Sequence, residues 1–197
     1  ADPRYLWPVW HLAVAMVARA GGVDASHTWV YLSRVLPFLA LCSLAFLVRV
    51  VLGSERAKWI VLAATVLSYP VFYSGITYAV HYPYPLYFVL LGLIPVHIGL
   101  VAGQLQEPRR EGLVGIALVS IAAASSHLMG VLVPTLFLLV LGLLVVLYPL
   151  KREARRGYLW AGIVTAMGIA PQVLLVLSVY GSYGHSVDLG AIRAERL

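Results

Sequence analysis

Residues 112–150 read GLVGIALVSIAAASSHLMGVLVPTLFLLVLGLLVVLYPL and contain no Asp, Glu, Lys or Arg. As one helix at about 1.5 Å per residue the run would extend roughly 58 Å. The hydrocarbon core of a bilayer is only about 30 Å thick, so the run has to fold back on itself. The one polar cluster within it is Ala124-Ser125-Ser126-His127. A short span near 112–126 and a second near 129–149 are therefore expected, joined by a turn at Ser125–His127.

The rest of the chain repeats the pattern of apolar run and charged turn. Across 197 residues, 61% are hydrophobic and only 11% charged. A soluble domain carries about 25% charged residues, and a chain of this size has no soluble core large enough to hide so much apolar surface. The composition predicts an all-α, polytopic integral membrane bundle of about six spans. The first lies at about 30–52, with Arg34 and Arg49 near its ends and Pro37 in its first two turns. The charged turn GSERAK (53–58) leads to a second span at 59–79, kinked by Pro70. A third at 83–104 ends in QLQEPRRE (104–111), and after the folded-back pair KREARRG (151–157) precedes a sixth at 158–180. Ahead of them, residues 1–29 form an outer loop and an interfacial helix. Tyr5–Ala20 is apolar with Trp7, Trp10, His11 and Arg19 interspersed, is too short to span comfortably, and is closed by Gly21-Gly22. Residues 181–197 form a polar outer tail. With no initiator Met and no charged leader, the sequence is expected to be a piece of a longer polytopic protein, with 1–197 as a single membrane domain. The lone Cys42 excludes a disulfide framework and is expected to be an inert packing residue.

Lys and Arg orient the spans. If alternate turns share a side, one side holds Arg49, Arg56, Lys58, Arg109, Arg110, Lys151, Arg152, Arg155 and Arg156, and the other Arg4, Arg19, Arg34, Arg193 and Arg196. Basic residues gather on the cytoplasmic side. Turns 53–58, 105–111 and 150–157 are thus expected inside and both ends of the chain outside, as in a multi-pass protein of a bacterial-type cell membrane. Basic residues confined to short turns argue for topology rather than for nucleic acid.

Function is expected at the outer face. Residues 68–87, SYPVFYSGITYAVHYPYPLY, join two apolar runs without a charge. Tyrosines of this density mark a membrane interface, and Pro83 and Pro85 can open the following helix. His11, His27, His81, His127 and His185 all fall on or near that face, at spacings matching no metal motif. His81, Tyr82 and Tyr84 from one outer turn and His127 from another could share a cavity holding a lipid phosphate, with Arg4 supplying charge. Asp2 precedes the interfacial helix and is the acidic group placed to act as a base. The alternative for each is plain: headgroup and loop hydrogen bonds for the histidines, an aromatic belt for the tyrosines, a solvated loop for Asp2. His97 is the one ionisable group near mid-span, where a neutral ring bonded to a backbone carbonyl is expected. No nucleophile, nucleotide-binding or cofactor motif is present.

The order of these features resembles the membrane-embedded glycosyltransferases of the C superfamily, which use polyprenyl-phosphate sugars. The likeness runs from Asp2 through WPVWHLAVAMVARAGG (7–22), YLSRVLPFLALCSLAFLVRVVLG (31–53) and ATVLSYPVFYSGITYAVHYPYPLY (64–87), with SSHLMG (125–130) as the polar break between a short span and the next. About half the chain is covered, by a pattern of spans and punctuation rather than a catalytic signature. The resemblance implies a lipid-linked sugar donor, inverting transfer on the outer face, and an acidic base in the first outer loop, a position that Asp2 matches. The family's first span and its second acidic residue have no counterpart here. Membrane lipid and a polyprenyl-phosphate sugar are the implied partners. A transporter or channel-like bundle, or a non-catalytic membrane scaffold, would share the composition.

Overall fold

A computed structural model describes residues 9–64 and 85–184, and all of its regular structure is helical. Asp2, Arg4, His81, Tyr82 and Tyr84, with Pro70 and most of the tyrosine-rich stretch, lie outside the described residues.

Helix α1 (Val9–Gly21) ends where Gly22 turns to φ 62°, a conformation that costs an L side chain but not glycine. Helix α2 (Ala25–Val51) starts at Asp24, whose carboxylate accepts from the Ser26 N–H at 2.7 Å, the usual N-cap arrangement. It begins earlier than expected, so Pro37 falls mid-helix instead of in the first turns. Cys42 faces outward and is not the packing residue expected. Helix α3 is described over 55–64. The turn before it is tighter than GSERAK suggested: only 52–54 leave the helix, and Lys58 pairs with Glu55 within the first turn of α3.

Helix α4 runs from Pro85 to Gln106 in three parts, α-helical at Pro85–Tyr87, π-helical over Phe88–Leu93 and α-helical again over Ile94–Gln106. The fold-back then appears at the expected place. Helix α5 (Arg110–Ser126) and helix α6 (Met129–Leu147) are separated by His127 and Leu128. Helix α7 (Arg152–Gly184) starts within the basic cluster, so KREARRG forms its opening turns instead of a loop. Three segments, Phe88–Gln106, Met129–Leu147 and Arg152–Ser178, are long and apolar enough to cross a membrane.

Helix α4 is the hub, packing against α2, α5, α6 and α7. The core is thin and built at close crossings. A Cβ on Gly130 of α6 would strike the Ala123 carbonyl of α5, and one on Gly168 of α7 would come within 2.8 Å of the Ser120 Cβ. Between lipid-like surroundings there is little hydrophobic drive to pair helices, so close backbone approach and dispersion have to hold them. The outer surface is correspondingly apolar, with Leu118, Leu136, Leu139, Val140, Leu159 and Met167 all exposed.

Candidate functional site

The two ends of the bundle differ chemically. At one end the basic turns meet. The Gln106 amide donates to the Val50 carbonyl at 2.9 Å, tying α4 to the end of α2. Gln104, 2% exposed, clamps the next turn from both sides: its Nε2 donates to the Arg109 carbonyl at 2.6 Å and its Oε1 accepts from the Arg109 N–H at 3.1 Å. Gly112 and Gly157 border this corner, and a Cβ on either would strike Gln104. A cleft of about 420 Å³ opens beside it, lined by Phe46, Val50, Gly103, Gln104, Glu107 and Arg109. Arg109 pairs with Glu107 at 2.6 Å, which raises the guanidinium's already high pKa.

At the other end the α5–α6 turn lies beside the start of α4, through a cluster of Val89, Ile94 and Ala123 with Val133 and Leu93 against it. His127 is the one proposed site residue within the described structure. Its N–H donates to the Ala123 carbonyl, and its Nδ1 accepts from the Met129 N–H at 3.1 Å. The ring thus caps the first turn of α6, satisfying a donor that has no partner inside the helix. An accepting Nδ1 leaves the ring proton on Nε2. Partial burial holds the His127 pKa below its ordinary value, which favours this neutral form. His127 therefore has a structural task beside any role in binding.

Between the two ends lies a set of polar residues that the sequence reading treated only through His97. Val101 of α4, Ile116 of α5 and Ala161 of α7 pack as one fully buried cluster. Four residues along each helix toward the His127 end stand His97, Ser120 and Thr165, at 1%, 0% and 1% exposure. One helical turn from three touching residues, they form the next layer of the same seam. His97 Nε2 lies 3.0 Å from Thr165 Oγ1. The ring is thus paired with a hydroxyl on α7, not with the backbone carbonyl expected. Ser120, Thr165 and Gln104 were missed. For Ser120 and Thr165 the signal was a lone polar residue in an apolar helix, which marks burial without saying against what; Gln104 opens a polar run and gave no such signal. The π-helical segment of α4 ends one turn before His97, and such bulges are frequent at functional sites.

No family model, curated protein or solved structure matches the chain. Among the described residues no three His, Cys, Asp or Glu side chains come together as a metal site.

Proposed function

We propose that the chain is the membrane portion of a glycosyltransferase that moves a sugar from a polyprenyl-phosphate donor at the face carrying His127. It would cross the membrane six times, with the basic turns cytoplasmic and both ends of this chain outside. The observation that supports this reading most is the asymmetry of the bundle. Basic turns gather at one end, and the opposite end presents His127 beside the start of α4, where the charge-free tyrosine-rich stretch joins. In the proposed site His127 Nε2–H, His81, Tyr82, Tyr84 and Arg4 hold the donor phosphate by charge-assisted hydrogen bonds, and Asp2 is the base for an acceptor hydroxyl. The test is sugar transfer by the full-length protein in proteoliposomes supplied with a radiolabelled polyprenyl-phosphate sugar. Asp2→Asn should abolish turnover and leave donor binding nearly intact. Full turnover in that variant would remove Asp2 from the chemistry, and no transfer from any such donor would remove the reading itself.

The buried polar layer and the π-helical turn favour a second reading, a transporter with its site inside the bundle. Solute uptake by the same proteoliposomes that fails in His97→Leu would select it.

A further inference from the structure

Several buried helical hydroxyls of this protein bond to their own backbone, and Ser120 does not. Ser43 donates to the Leu39 carbonyl at 2.8 Å, Ser126 to the Ala122 carbonyl at 2.7 Å and Thr28 to the Asp24 carbonyl at 3.2 Å. Each follows the common habit of bonding back to the preceding turn. Ser120, fully buried, makes no such bond, and its Oγ has no hydrogen-bond partner among the described residues. Among the described residues the other buried side-chain atom in that condition is His97 Nδ1. The two sit in the same layer of the α4–α5–α7 seam, fenced by the Val101–Ile116–Ala161 cluster on one side and the Val89–Ile94–Ala123 cluster on the other. Leaving a buried polar atom unbonded costs about 1–3 kcal/mol, and two such atoms in one apolar seam would be a large fraction of a small bundle's stability.

We propose that this layer is a binding site for a water molecule that bridges Ser120 Oγ and His97 Nδ1. The water completes a hydrogen-bonded chain from α5 through α4 to α7: Ser120, water, His97, Thr165. Internal waters take two to four polar partners of this kind. Gly168 lets α7 approach the Ser120 Cβ closely, which a side chain there would prevent. The proposal does not depend on the transferase or the transporter reading.

A double-mutant cycle on the full chain in nanodiscs tests it, with Ser120→Ala, His97→Leu and the pair compared by reversible unfolding. A bridged pair predicts that Ser120→Ala weakens the fold, and that the two effects fall short of multiplying by roughly fivefold or more in the unfolding equilibrium constant. A neutral or stabilising Ser120→Ala with independent effects overturns the proposal, because it would mean that the hydroxyl is unsatisfied. Where His97→Leu does not fold, the wild-type chain still answers. With ¹⁵N-labelled histidine, solid-state spectra should show a cross-peak between His97 Nδ1 and an ordered water. A ring nitrogen at the position of an unbonded imidazole, with no such cross-peak, overturns it equally.

Discussion

Helices α4 and α6 are neighbours of similar length, and they treat their surroundings in opposite ways. Helix α6 is the most apolar of the three span-length segments, yet it buries only Gly130, Pro134 and Val145, whereas α4 buries seven residues over Phe88–Gln106. Helix α4 brings His97 and Gln104 into the core, while Leu136, Leu139, Val140 and Leu143 of α6 point away from it. In a water-soluble bundle the ranking would be reversed, since apolar area leaves water in proportion to burial. Here apolar character tracks exposure, and polar and small residues mark the seam. That is the order expected when the solvent is hydrocarbon and the helices are joined by close approach and hydrogen bonds.

The comparison breaks most visibly if the outer face of α6 is given charge. Leu139 and Leu143, both exposed, lie one turn apart. Converting both to Lys should cost roughly 5–7 kcal/mol of insertion free energy, at about 2.5–3.5 for each centrally placed charge. The fraction of chains with α6 integrated, measured by glycosylation mapping in microsomes, should collapse. Undiminished integration would show that this face does not meet lipid.

A smaller effect separates seam glycines from surface glycines. Gly130→Ala would press a Cβ into the Ala123 carbonyl, whereas a Cβ at Gly162 meets nothing within 4 Å. Overpacking of this kind costs about 1–3 kcal/mol, while replacing an open helical glycine gains up to about 1 kcal/mol. Thermal unfolding in one detergent should therefore move down for Gly130→Ala and stay level or rise for Gly162→Ala. Equal shifts would mean that α5 and α6 do not touch at this crossing.

What could be read from sequence followed from length and from charge. The 39 uncharged residues at 112–150 exceed one membrane thickness, so a reversal near Ser125–His127 was forced, and the structure breaks the helix at His127 and Leu128. The basic clusters located the turns but not their edges: Arg152 and Arg155 suit helix as well as loop, and α7 absorbed them. The partner of His97 could not be read, because Thr165 is 68 residues away and no period links them. Nor could the clamp at Arg109, since Gln104 sits in a polar run that looks like loop from one side and helix from the other. Of the proposed binding residues, His127 was legible as the polar break in an apolar run. Its capping bond to Met129 was not, for that depends on backbone geometry that residue type alone does not carry.

The smallest expected effect is a pH dependence at that same turn, and it sharpens the contrast between the buried seam and the bundle's end. Folding lowers the His127 pKa from its ordinary value of 6.5, through partial burial. Well above pH 6.5 the ring is neutral in both the folded and unfolded chain, and it contributes no pH dependence. As pH falls through 6.5 the unfolded chain takes up the proton first, so stability must decline on the acid side. The structure supplies a second reason of the same sign: protonating Nδ1 removes the acceptor for the Met129 N–H and uncaps α6. Solvent reaches the ring and screens its charge, so the loss should stay below about 1 kcal/mol. His127→Asn isolates it, because an Asn side chain at the start of a helix also accepts from the first-turn N–H but does not titrate. Thermal unfolding of wild type and variant should agree near pH 8 and separate near pH 5, with the variant the more stable. Parallel curves across that range would mean that His127 does not gain its proton on unfolding, and would leave the cap at Met129 without the role assigned to it.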